Sequence, residues 1–144
     1  MVYNIPRRTG TRLAFLRALC PLGRKCEGEK TMPLINAKFT VSLDENQKEE
    51  LKDAFGQLIG TLNKSEAYLM VGIEDGKDLW LGGRKLEKGA YVEVSLLGDA
   101  GSDLYSKMTG QFCELFSEKL GIPGNAVYVT YHPVRDWGWN GRNF

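Results

Sequence analysis

A chain of 144 residues, 42% apolar and 26% charged, fits one domain of ordinary size with enough apolar material for a core. Its net charge of +1 hides an asymmetry: residues 1–31 hold seven basic and two acidic side chains, residues 32–144 twelve and sixteen. The acidic body excludes nucleic acid as the main partner, and no apolar run approaches the roughly 20 residues of a membrane-spanning helix.

The basic stretch, 1–31, has one short amphipathic run, RLAFLRAL, broken by Arg17 and followed by Pro21. An Arg-rich, acid-poor start resembles an organelle transit peptide. An upstream start codon that is not used explains it equally well. Cys20, Cys26 and Cys113 are too few and odd in number for a disulfide framework, so a reducing compartment is the default. Cys20 and Cys26 have no His or further Cys nearby, so neither a metal nor any other cofactor is expected. His132 is the only histidine, which makes a two-His metal site or a His–Asp–Ser mechanism a poor fit.

From Pro33 the pattern sharpens. PLINAKFTV, 33–41, is β-prone and apolar, a first strand. Ser42 and Glu45 form a Ser-x-x-Glu capping box, opening a helix over 44–62 with Leu51, Ala54, Phe55, Leu58, Ile59 and Leu62 on one face. AYLMVGI, 67–73, predicts a second strand, and LWLGG, 79–83, a short third. The second half repeats the plan. AYVEVSLL, 90–97, is a strand. A helix over 103–120 carries Leu104, Met108, Phe112, Leu115, Phe116 and Leu120 on one face, is capped by Gly121 and is stopped by Pro123. AVYVTYH, 126–132, closes the series.

The fold class is therefore α/β: a duplicated β-α-β unit, giving a four-stranded sheet with two helices on one face. Two helices leave the other face open. Yet the 90–97 strand carries apolar side chains on both sides, with Tyr91 and Leu97 opposite Ala90, Val92, Val94 and Leu96. The open face is expected to be covered by other copies of the chain.

MPLINAKF, NKSEAYLMVGI, Gly82-Gly83, YVEVSLLG and the ending LGIPGNAVYVTYHPVRDWGWNGRNF together resemble the macrophage migration inhibitory factor family, over 32–144 and not over 1–31. The resemblance implies the tautomerase fold of that family, a homotrimer with active sites between subunits. It implies keto–enol tautomerisation of small aromatic α-keto acids such as phenylpyruvate, and of dopachrome-type compounds. The alternative it carries is a cytokine-like signalling protein that binds a cell-surface receptor and keeps only a vestigial pocket. A cytoplasmic location, with secretion by a route that needs no signal peptide, goes with either reading.

Pro33 matches the family's catalytic amino-terminal proline. A proline inside a chain has an amide nitrogen with no basic lone pair, whereas a terminal one is a secondary amine that burial and a nearby cation hold neutral. Such an amine is poised to take a proton next to a carbonyl. The resemblance makes Lys64 the partner of the substrate carboxylate and Leu97 a substrate contact. It makes Tyr128, Trp139 and Phe144 aromatic pocket walls, Tyr128 coming from a neighbouring subunit. Packing in the core or at an interface accounts for the aromatic residues equally well.

Departures are present. Thr130 stands where an Asn is usual, Trp137 replaces a smaller aliphatic residue, and the loop of YHPVRDWGW is shorter. Arg84, Lys85 and Lys88 make one rim basic, and the Cys-x-x-Cys pair of the vertebrate members is missing. As written, Pro33 is embedded. The chemistry requires translation from Met32 or processing that frees Pro33; otherwise the catalytic role has been lost.

Overall fold

β1 (Pro33–Phe39) alternates buried and half-buried residues along its whole length. That period of two is the mark of a strand with one face on a core. It lies at the centre of a sheet whose order is β2-β1-β5-β6, with β2 at Met70–Glu74, β5 at Ala90–Leu97 and β6 at Val127–Val134. β1 runs parallel to β2 and antiparallel to β5, and β5 runs parallel to β6. Helix α1 (Glu45–Leu58) joins the first parallel pair and α2 (Ser102–Leu120) the second. The expected duplicated β-α-β plan and four-stranded sheet are present. This computed structural model describes residues 32–144; the expectations for 1–31, including Cys20 and Cys26, lie outside the described residues.

Both helices pack on the same sheet face. Ile35, Ala37 and Phe39 of β1 and Val92, Val94 and Leu96 of β5 are buried in one cluster with Leu51 and Phe55 of α1 and Met108, Phe112 and Phe116 of α2. Four phenylalanines form its centre. Phe39 meets Phe116 edge-on at 5.0 Å, and Phe55 meets Phe112 at 5.5 Å and Phe116 at 6.2 Å. These are the offset and edge-to-face geometries that aromatic quadrupoles favour.

Several element ends differ from the expected ones, for local reasons. α1 is capped by Asp44 and not by Ser42. Asp44 accepts the Gln47 N–H at 2.8 Å, and the Gln47 side chain accepts the Asp44 N–H at 3.0 Å. The capping box lies two residues later than expected, and the Leu43 N–H just before it is given to Asp75 at 2.9 Å. The helix gives way at Ile59 to a 3-10 turn that ends at Leu62, the last core position expected of it. The second strand begins at Met70 and not at Ala67. The Ser65 hydroxyl accepts the Ala67 N–H and curls Glu66–Tyr68 into a turn. The expected 79–83 strand is half of a small hairpin, β3 (Trp80–Leu81) and β4 (Arg84–Lys85). It turns at Gly82 and Gly83, with φ of 60° and 77°, values that favour glycine. α2 ends as expected, with Gly121 left-handed at φ 65°.

The open face carries Leu34, Asn36 and Lys38 of β1, Tyr91, Glu93, Ser95 and Leu97 of β5, and Tyr128, Thr130 and His132 of β6. It mixes apolar and polar side chains, unlike the uniformly apolar helix face. A short chain of hydrogen bonds crosses it, from Tyr91 to Thr130 at 3.2 Å and from Thr130 to His132 at 2.9 Å.

Asp75 gives this fold a measurable response to acid. The Leu43 N–H, and then the charge of Lys48 at 3.5 Å, hold its carboxyl below the usual carboxylate range. A depressed carboxyl stabilises the folded state above the unfolded value of about 3.9 and loses that contribution as pH falls through the lower, folded value. Asp75→Asn keeps an acceptor for Leu43 but cannot ionise. The difference in melting temperature between wild type and this variant is expected to be largest near neutrality and to shrink below about pH 4. A difference that stays constant down to pH 2 would show that the Asp75 charge is not linked to folding.

Candidate active site

Pro33 opens β1 opposite Leu96, at the sheet end where β5 and β6 finish. It is buried, as is Met32 before it, at 4% exposure. Both line a cavity of about 980 Å³ whose other walls include Leu34, Tyr68, Leu69, Val71, Ser95, Val134, Asp136, Trp137 and Trp139. The walls are apolar and aromatic, with Ser95 and Asp136 as polar points, which is the usual make-up of a small-molecule site.

The aromatic wall is built by the chain's end. β7 (Gly138–Trp139) and β8 (Arg142–Asn143) form a hairpin around Asn140 and Gly141, both at positive φ (50° and 79°). Asn-Gly is the dipeptide best suited to such a turn. The hairpin sets Trp139 against Tyr68, edge-on at 6.2 Å, and against Phe144, stacked at 6.3 Å. The Phe144 N–H donates to the Trp137 carbonyl at 2.9 Å, and the Arg142 guanidinium sits 5.8 Å from the Phe144 ring centroid.

Lys64 reaches the same sheet end from the helix side. Asn63, left-handed at φ 57°, terminates the turn after α1 and directs the chain to it. The Lys64 ammonium then donates to the Leu97 carbonyl at 3.4 Å. Leu97 directly follows Leu96, the cross-strand partner of Pro33. A cation, a strand-opening proline and an aromatic-walled cavity therefore gather at one sheet end.

Of the six residues singled out from the sequence, Pro33 and Trp139 share the cavity, Phe144 backs Trp139, and Lys64 meets Leu97. Tyr128 stands apart. It is 59% exposed and pairs across Tyr91 with Lys38, five residues along β1 from Pro33. At about 3.3 Å per residue that is roughly 16 Å away. Within one chain Tyr128 instead lines a smaller apolar cleft with Trp80, Leu86 and Ala126. Tyr68 and Asp136 were not foreseen from the sequence. Tyr68 is hidden in a stretch that reads as strand, and nothing in the local spacing of Asp136 marks it as a wall residue.

Among the described residues no helix is long and apolar enough to cross a membrane, and no group of three or more His, Cys, Asp or Glu side chains is placed to hold a metal ion.

Known proteins resemble this arrangement. The family model for macrophage migration inhibitory factor (MIF) matches residues 32–144. A macrophage migration inhibitory factor homolog of Trichuris trichiura is 28% identical over 115 residues, spanning 78% of this chain and 100% of the relative. The crystal structure of Leishmania major MIF2 superposes with a TM-score of 0.72 at 30% identity, covering 78% of this chain and 97% of that one. A homologue from Prochlorococcus marinus superposes with a TM-score of 0.70 at 28% identity, covering 77% and 98%.

Proposed function

The chain belongs to the macrophage migration inhibitory factor family, and from that premise we propose that it is a keto–enol tautomerase of small aromatic α-keto acids, phenylpyruvate being the type substrate. The observation that carries the reading is the placement of Pro33 in an aromatic-walled cavity, with the Lys64 ammonium held at the residue beside its strand partner.

Each group has a task in this chemistry. With its nitrogen free, Pro33 is a secondary amine among apolar neighbours, which lower its proton affinity and leave it a base at neutral pH. It takes the proton from the carbon next to the keto group and returns it to the oxygen of the resulting enolate, which gives the enol. The Lys64 ammonium receives the substrate carboxylate and, as a nearby cation, favours the neutral amine. Trp139, backed by Phe144, and Tyr68 offer faces and edges to the aryl group. Leu97 presents its backbone at the carboxylate end.

The same reading takes the protein as a homotrimer. Tyr128 lies too far from Pro33 to serve the site of its own chain, so a role for it there requires a second copy. The partly apolar open face of the sheet offers the surface for such a copy. Residues 1–31 stand outside the activity, as a leader or an unused start, because an attached residue turns the Pro33 nitrogen into an amide. The second reading, a receptor-binding protein with a vestigial pocket, is favoured if Pro33 is never freed, or if a chain with Pro33 freed folds without turnover.

The test is direct. A chain beginning at Pro33 is given phenylpyruvate, and the keto–enol conversion is followed by ultraviolet absorbance. Turnover well above the buffer-catalysed rate is expected. A folded protein without turnover on phenylpyruvate or dopachrome-type compounds would overturn the enzyme reading and leave the interaction reading.

A further inference from the structure

Among the described residues the Lys64 ammonium is held by one carbonyl, that of Leu97, and the direction of that carbonyl is set elsewhere. The peptide unit joining Leu97 to Gly98 is trans, as are all the described peptide bonds. Its N–H, on Gly98, donates to the Val134 carbonyl at 2.9 Å. In a planar trans peptide the N–H and C=O point in opposite directions. Fixing the Gly98 N–H on β6 therefore turns the Leu97 carbonyl away from β6, and it is there that Lys64 donates to it at 3.4 Å.

The turn that follows has little stiffness of its own. Gly98 and Gly101 both adopt positive φ, 79° and 94°. Glycines are free to leave such conformations, so the turn is held from outside. The outside support is Tyr105, from the first turn of α2. Its hydroxyl donates to Asp99 Oδ1 at 2.7 Å and accepts the Ala100 N–H at 3.2 Å. The same Asp99 oxygen accepts the Gly101 N–H at 3.0 Å. The Tyr105 ring is stacked on Tyr131 of β6 at 4.4 Å, and the Tyr131 hydroxyl meets Thr109 of α2 at 2.9 Å. Tyr105 thus ties the turn to α2 and to β6, the strand that fixes the Gly98 N–H. Burial pushes the Tyr105 hydroxyl up, so it stays protonated and remains a donor.

We propose that Tyr105 is a positioning residue of the tautomerase site: through Asp99 it holds the 98–101 turn, thereby orients the Leu97 carbonyl, and so fixes the Lys64 ammonium where the substrate carboxylate is received. This rests on the functional reading above. Tyr105 does not touch the substrate; its effect passes through the peptide plane to Lys64.

Tyr105→Phe tests it, because the ring and its stacking on Tyr131 are kept and only the hydroxyl is lost. It is made in the chain beginning at Pro33 and assayed with phenylpyruvate and with the methyl ester of phenylpyruvate, which lacks the carboxylate charge. The expected result is a KM for phenylpyruvate raised on the order of five- to twentyfold, within the scale of the two hydrogen bonds the hydroxyl makes, with kcat within about twofold. The ester is expected to be unaffected, and Tyr105→Phe is expected to add nothing in a Lys64→Ala background. Equal slowing of both substrates, or an effect that persists without Lys64, would assign Tyr105 to plain stability and overturn the proposal.

If the parent chain turns over neither substrate, the functional reading has failed, and the ligand-free protein still decides the structural claim. The side-chain ¹⁵N resonance of Lys64 is then compared between wild type and Tyr105→Phe. A shifted or broadened signal supports the coupling, and an unchanged one refutes it.

Discussion

A chain that retains Met32 ahead of Pro33 is expected to tautomerise phenylpyruvate about 10²–10⁴-fold more slowly than one that begins at Pro33, the usual range for losing a positioned general base. Two causes act together. The first is electronic: with any residue attached, the Pro33 nitrogen is a tertiary amide whose lone pair is delocalised, so it has no useful proton affinity. The second is steric: Met32 is 4% exposed and lines the same cavity, so its side chain and backbone occupy space the substrate needs. The pH profile separates the base from its rivals. A free α-amino group ordinarily titrates near 7.7–8.0, and apolar surroundings with a neighbouring cation lower it. The base form is the active one, so kcat/KM should rise with pH through a midpoint below about 7.7 and then level off. Equal turnover by the two chains, with both folded, would remove Pro33 from the mechanism. Asp136, the carboxylate on the cavity wall, would then be the base to examine.

The sheet and helices were legible in the sequence because each depends on a local period. Leu51, Phe55, Ile59 and Leu62, and then Met108, Phe112 and Phe116, recur at helical spacing, and all are buried. Gly121 was legible as a cap because a left-handed residue after a helix favours glycine. At both misplaced ends a side chain takes a backbone amide two or three residues on. Ser42 and Asp44 are both sound caps by type, and the chain uses Asp44, whose side chain takes the Gln47 amide while the Gln47 side chain takes the Asp44 amide. The second strand starts late because Ser65 takes the Ala67 amide, a side-chain choice that overrides the β-prone run it precedes.

The site was far less legible than the fold. Nothing in the spacing of Lys64 separates it from a solvated loop lysine; only the family resemblance singled it out. Its bond to Leu97 spans 33 residues and depends on the turn after α1 and the end of β5 meeting in space. Tyr68 escaped notice because its partner, Trp139, is brought to it by the terminal hairpin, 71 positions along the chain. Asp99 and Tyr105 read as an ordinary helix entry, and their role in holding a carbonyl becomes visible only once the peptide plane is traced to Val134.

Phe116→Ala is expected to cost about 3–5 kcal/mol of folding stability per chain, the range for removing a buried phenylalanine. Phe116 is fully buried and touches the ring of Phe39 from β1, Phe55 from α1 and Phe112 from its own helix, so it joins three elements at once. Those surroundings are the sheet and both helices, which cannot collapse together around one missing ring without moving the strands, so the cavity stays open. Domains of this size commonly hold only about 5–15 kcal/mol in total, so much of the margin would be gone. Phe116→Leu, which keeps most of the volume, should cost markedly less. Tyr128→Ala, at a ring 59% exposed in the single chain, reports a different quantity: if copies cover Tyr128, its cost will depend on chain concentration, whereas a core loss will persist at every concentration. Urea unfolding of all three variants at several fixed concentrations makes the comparison. A Phe116→Ala loss below about 1 kcal/mol would mean that the phenylalanine cluster is not the centre of this core. Because Phe39 closes the strand that Pro33 opens, weakening the cluster should also loosen β1 and lower turnover at temperatures where the protein is still folded.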